Sequence, residues 1–213
     1  MGAVIVSAAA SRRVYNELQR TGFLLLTDNV LPSVVSLVVG EAVRGSWWAH
    51  PRVHDIYDVA QPLGEHADVI VAKLVSGKNT YVHRILWPAL IAVGSAREPW
   101  QLKGLSRMAH RLLAAVDEQS ELRTDSIPWS GGARKDSPGE ATRLLERKLL
   151  VHTEEVHTET GAHAKRLECW ERWGKRVGLE TNRMPAEQAK RELEAVLAEL
   201  NERFEGNGKL PWH

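Results

Sequence analysis

The sequence is poor in cysteine, in phenylalanine and tyrosine, and in net charge. Its 213 residues hold one Cys, two Phe and three Tyr, and 28 basic side chains balance 27 acidic ones. A single thiol, Cys169, cannot close an internal disulfide or build a cysteine-rich zinc site, so a reducing, cytoplasmic setting is expected. No run approaches the ~20 apolar residues that cross a bilayer. The longest apolar-rich stretch, Val30–Val39, is interrupted by Pro32, Ser33 and Ser36, so no membrane partner is expected. Ala3–Ala10 is apolar, but no positive charge precedes it as a secretory signal requires. A formal net charge of +1 excludes a generic polyanion binder, and any nucleic-acid surface has to be local. The zinc-peptidase pattern His-Glu-x-x-His is missing too: His152 and His157 stand five apart, on different faces of a helix.

What is present is tryptophan and histidine, eight and nine residues respectively. Large indoles most often fill cores, whereas histidines titrate near neutral pH and have to be judged one by one. No internal repeat is visible. The clearest break is Asp125–Glu140, which holds Pro128, Gly131, Gly132, Pro138 and Gly139 and reads as a linker. Before it, the pattern predicts a helix to about Arg20, a short strand at Phe23–Leu26, a helix at Leu31–Val39 and another at Pro51–Leu63. Asp68–Val75 and Thr80–Ile85 then alternate with period two around Ser76–Asn79, a hairpin signal. Helices follow at Trp87–Ala96 and Gln101–Gln119. This is the element order of a winged helix-turn-helix domain. The expected class is α+β, mostly α: a winged-helix-like domain over 1–125, a linker over 126–140 and a long helical hairpin over 141–213.

Gly45–Pro51 (GSWWAHP), the amphipathic helix after it, the valine-rich hairpin and Arg84–Trp87 (RILW) carry a resemblance. Over Gly40–Val93 the chain resembles the bacterial winged-helix DNA glycosylases, which remove alkylated or crosslinked bases. The resemblance implies a DNA-binding fold and base-excision chemistry. The family's catalytic pair, a Gln with a second Gln or Asp two positions on, has no counterpart: neither Gln-x-Gln nor Gln-x-Asp occurs in the chain.

A winged domain grips phosphates at its wing and helix ends. The candidates are Lys78 and Asn79 at the wing tip and Lys73 and Arg84 on the strands, with Arg52 and His54 on the helix opposed by Asp55 and Asp58. Lys103, Arg107 and Arg111, four apart on the Gln101–Gln119 helix, form a second basic stripe beside Arg97. Either this stripe meets DNA or it is a solvated face. Trp47 and Trp48 either stack unpaired bases or pack in the core.

Chemistry is sought further on. Glu140–Arg176 reads as one long amphipathic helix with Leu145, Leu149, Val156, Leu167 and Trp170 on its apolar face. His152, Glu155, Glu159 and His163 fall on that same face, a polar strip ~16 Å long. Ionisable groups on a face meant for burial need pairing, coordination or a cleft. Glu155 and Glu159 could activate water while His152 and His163 move protons, in base excision, lyase or nuclease chemistry. Glu155, Glu159 and His163 could share a divalent metal with ligands from another helix. The alternative is a buried polar network in a non-catalytic regulator or adaptor that forms a homodimer through its C-terminal helices. An enzyme acting on a small molecule between the domains is the third reading.

Overall fold

The computed structural model describes residues 2–119, 121–127, 137–157, 163–179 and 184–213, with the backbone alone at 2–7, 157 and 163. Two compact units emerge. The first comprises Met1–Trp87 with Lys190–Pro211 and His213; the second comprises Pro88–Ala189 with Trp212. The stretch expected as a linker, 126–140, falls inside the second unit and lies largely outside the described residues.

The first unit opens with α1 (Gly2–Thr21), whose Val14 and Leu18 are fully buried. Gly22, at φ +72°, turns the chain into β1 (Phe23–Leu25). Ser33 caps α2 (Val34–Val39): its hydroxyl accepts from the Ser36 amide at 3.1 Å, and the Ser36 hydroxyl accepts from the Ser33 amide at 3.2 Å. A short 3-10 turn, Trp47–Ala49, leads to α3 (Val53–Gly64). Then β2 (Val69–Lys73) and β3 (Asn79–His83) form the expected hairpin, with Ile70 opposite Val82. It packs on α3 through a core that includes Ile56, Val59, Leu63, Val69 and Tyr81. The Tyr81 hydroxyl donates to the Ala60 carbonyl at 3.2 Å.

Residues after Lys190 complete this unit. Leu193, Leu197 and Leu200 of α9 (Ala186–Phe204) are buried, as is Leu210 beyond it. These side chains are used within the first unit, whereas the sequence pattern has them folding back on the preceding helix as an antiparallel hairpin. The β2–β3 connection is stitched to the following tail: the Ser76 amide donates to the Lys209 carbonyl at 2.7 Å, and the Lys209 amide donates to Ser76 Oγ at 3.2 Å. Gly208 permits that approach, since a Cβ there would stand 2.9 Å from both Leu31 and Val75.

The second unit contains α4 (Trp87–Ser95), α5 (Pro99–Leu102), α6 (Arg107–Gln119), β4 (Glu121–Arg123), α7 (Pro138–Arg147), β5 (His152–His157), β6 (His163–Glu168) and α8 (Trp170–Arg176). Leu112, Val116, Leu122, Leu145, Leu150 and Leu167 share its core. Gly94 is fixed by contact, because a Cβ would lie 2.4 Å from the Trp170 ring. Two expected helices are corrected here. The Gln101–Gln119 helix is broken at Gly104 (φ +77°) into α5 and α6. The long Glu140–Arg176 helix does not exist: α7 stops at Arg147, Leu149 takes φ +51°, and the chain continues as an antiparallel β-hairpin.

The two sheets have one connectivity. Their strand orders are β1-β3-β2 and β4-β6-β5, antiparallel throughout, so in each the third strand in sequence lies between the other two. In each a helix precedes the first strand and another precedes the second. In each a tryptophan opens the helix that follows, and its indole N–H is satisfied inside the unit: Trp87 donates to the Val82 carbonyl at 3.2 Å, Trp170 to the Leu149 carbonyl at 2.9 Å. A repeat invisible in the residues is present in the topology.

Candidate functional site

Strand alternation decides which side chains meet in the second sheet. His152 and Glu154 lie two apart on β5 and share a face; their register partners on β6 are Glu168 and Arg166. Glu121 of β4 stands on the other side of Glu168. Directly opposed side chains are ~5 Å apart at Cβ, so this face gathers three carboxylates, an imidazole and a guanidinium. From α8 come Arg172, Arg176, Trp170 and Trp173. His152 (3% exposed) and Glu168 (1%) form the cluster's buried heart, and Glu121, Glu154, Arg166, Arg172 and Arg176 surround them at its partly exposed rim.

Its contacts alternate in sign. Arg176 Nη2 lies 2.5 Å from Glu168 Oε1 and 2.6 Å from Glu154 Oε1, and Arg166 pairs with the second oxygen of Glu154. Arg172 Nη2 is 2.7 Å from Glu121 Oε2. His152 Nδ1 stands 3.3 Å from Glu168 Oε1, and its ring stacks on Trp173 at 5.0 Å and meets the edge of Trp170 at 5.7 Å. His152 Nδ1 and Glu168 Oε2 are buried without an aligned hydrogen bond. Burial pushes the Glu168 carboxyl up, but His152 and Arg176 outweigh it and hold the group below the usual glutamate range. Glu154 is shifted the same way: burial raises it, and Arg176, His152 and Arg166 together pull it lower.

These shifts decide what the cluster can do. A general acid or base works best with a pKa near the operating pH. Both carboxylates move away from neutrality, so they stay ionised as partners of arginine. A metal is disfavoured by the same guanidinium. His152, Glu154 and Glu168 do offer ligand atoms within 4.8 Å of one another, a nitrogen and two oxygens of a kind divalent ions accept. Yet Arg176 touches both carboxylates and occupies the place between them that a cation would take. As arranged, these residues do not fit a metal.

The strip expected from the helical reading is not assembled. His152 is in the cluster. Glu155 points to the opposite face of β5, exposed, with Lys165 as its register partner. Glu159 lies outside the described residues, and His163 begins β6 with only its backbone described. Glu154, Glu168, Arg166 and Arg176 were missed. A signal for them exists in the sequence: Glu154-Glu155 and Lys165-Arg166 are mirrored about residue 160, which is how a hairpin with cross-strand ion pairs is written.

The expected nucleic-acid residues are scattered. In the first unit, Lys78 Nζ is 2.6 Å from Asp28 Oδ2, and Arg84 Nη1 is 2.8 Å from Asp68 Oδ1. The Asn79 carbonyl accepts from the Leu26 amide at 2.8 Å, and Lys73 is its partner at the end of β2. The β2–β3 connection is thus ion-paired through Lys78 and hydrogen-bonded to the tail through Ser76, while Ser76, Gly77 and Lys78 stay exposed. In the second unit Lys103, Arg107 and Arg111 are exposed, but Lys103 follows α5 while the two arginines share α6, so the stripe is two residues long. Arg97 is turned away to Asp117 at 2.5 Å. Trp47 is buried and Trp48 exposed.

The fold defines a small α+β protein with two three-stranded antiparallel sheets of like connectivity and an ionic cluster on the second. The chain belongs to the AlkZ-related family, whose model matches residues 10–206. That extent goes well beyond the Gly40–Val93 segment on which the resemblance rested, and it relates the chain to AlkZ, a DNA crosslink repair glycosylase. No curated protein and no solved structure gives a significant match. Among the described residues no helix is long and apolar enough to cross a membrane.

Proposed function

We propose that this chain is a DNA-associated member of its repair-related family that binds DNA through winged helix-turn-helix units without excising bases. The observation that carries the reading is the connectivity of the first unit. Helix, strand, two helices and a hairpin, with sheet order β1-β3-β2, is the arrangement a winged domain requires. Two facts support the absence of excision. The catalytic Gln pair of the winged-helix glycosylases has no counterpart in the sequence. In the His/Glu cluster that could have replaced it, His152 and Glu168 are buried, and arginine keeps the carboxylates of Glu154 and Glu168 ionised.

DNA contact falls to exposed cations outside the stitched wing, with Arg107 and Arg111 of α6 the strongest pair. Each phosphate neutralised contributes about −0.9 to the slope of log affinity against log salt. Duplex binding should therefore weaken steeply with salt, and Arg107→Ala with Arg111→Ala should flatten the slope by roughly two. The same preparation, incubated with alkylated or crosslinked duplex, should release no base. Salt-independent or absent duplex binding would overturn the DNA reading. Base release, if lost in Glu168→Gln, would restore a catalytic role to the cluster.

A further inference from the structure

The exposed aromatic step on the first unit is not explained by the fold. Trp47 and Trp48 stack on each other, centroids 4.1 Å apart and planes 25° from parallel. The 3-10 turn of Trp47–Ala49 brings the two indoles side by side, where an extended segment would send them to opposite sides. Trp47 is buried among core residues, whereas Trp48 is 62% exposed. With one face against Trp47, the exposed area of Trp48 is its remaining face and edge. Tyr57 of α3, 45% exposed, borders it at 6.3 Å with its plane inclined by 45°. An indole buries up to ~250 Å² when covered, so leaving one open beside a second open aromatic is unfavourable unless something covers both.

We infer that Trp48 is a stacking platform for an unpaired nucleobase, with Trp47 as its rigid backing and Tyr57 as its side wall. The inference rests on the DNA reading above and narrows it from DNA in general to DNA with an exposed base. A flat π-ligand continues a two-ring stack, and every base has such a face. In an intact duplex those faces are covered by neighbours, so only a single-stranded, extruded or terminal base can reach the ring. An apolar protein partner fits less well: besides Tyr57, the exposed residues of α3 are His54, Asp55, Asp58, Gln61 and Pro62, four of the five polar. Exposed cationic or titratable side chains lie near in sequence: Arg44, four residues before Trp48, and His54. Of the two exposed carboxylates that flank Tyr57 on α3, Asp55 is held by Arg52 at 2.7 Å.

The test compares an oligo-dT strand with an abasic deoxyribose-phosphate strand of equal length at low salt, with a blunt duplex alongside. Wild type should prefer oligo-dT over the abasic strand by between roughly five- and a hundredfold. Trp48→Ala should close that gap, Trp48→Phe should keep most of it, and both should bind duplex within about twofold of wild type. Equal binding of dT and abasic strands by wild type would overturn the platform and leave the DNA reading intact. So would a gap that survives Trp48→Ala, or a Trp48→Ala loss that is as large on duplex. Failure of wild type on all three would overturn both. The wild-type comparison and Trp48→Phe hold even where Trp48→Ala melts early.

Discussion

The two sheets are built on one connectivity from opposite materials. The first is made of valine, isoleucine and leucine: β1 is fully buried, and Val69, Ile70, Tyr81 and Val82 lie against core. The second is written HTEEVH and HAKRLE, and one of its faces is held by ions. Apolar strands are forced into register by burial, because a slip of one residue exposes the whole set. The charged hairpin has a different constraint: Glu154 must meet Arg166 across the strands, and Lys165 must reach Glu146 of α7. Connectivity can thus be repeated without repeating composition.

The sharpest way to break the comparison is to remove one member of the charged face. Glu168 and His83 occupy the same place, each paired with the first residue of the preceding strand. Glu168→Ala leaves the buried His152 without its carboxylate and Arg176 with Glu154 alone, and should cost about 2–3 kcal/mol, the loss of a buried partner to a charged or polar group. His83→Ala, at a half-buried position without such partners, should cost about 1 kcal/mol or less. Thermal melts of the two variants measure the difference, and equal losses would mean that the ions contribute no more than ordinary packing.

Acid probes the charged face by a second route. Glu154 and Glu168 titrate below their ordinary value in the folded chain, so their contribution is fully present above the unfolded glutamate pKa. It is lost as pH falls from about 5 through the depressed folded values. Near-ultraviolet circular dichroism from the tryptophans should track this loss, and Glu168→Gln should make it shallower. An acid transition unchanged by Glu168→Gln would place the sensitivity elsewhere.

The smallest effect tests the register itself. Glu155→Gln, on the exposed face, should change stability by less than about 0.5 kcal/mol, while Glu154→Gln, which loses charge pairs to two arginines, should cost about 1–2 kcal/mol. A larger effect at Glu155, read in chemical denaturation, would mean that β5 is shifted by one residue.

That single-residue distinction also explains what could be read from the sequence. Val69, Val71 and Val82 alternate strictly and announce their hairpin, and the helices before it follow from their own apolar spacing. Glu, Lys, Arg and Ala are strong helix formers, so Glu140–Arg176 looks helical to any argument from propensity or 3.6-residue spacing. Tertiary pairing overrides that preference. His152 was found under either period because it is the reference point of both. Glu155 was selected by the helical period, whereas the strand period selects Glu154. Glu168 and Arg176 could not be anticipated without the register that brings them to His152.

The stitch between Ser76 and Lys209 has a consequence for synthesis. The first unit needs Lys190–Pro211 to bury Leu193, Leu197, Leu200 and Leu210, yet Pro88–Ala189 of the second unit is translated in between. Domains generally close in the order in which they leave the ribosome. Here that order is inverted: at ~5–20 residues per second, Phe23–His83 waits several seconds with an open apolar flank while the inserted unit closes first. During that interval the valine-rich hairpin is the segment of the nascent chain most in need of a chaperone.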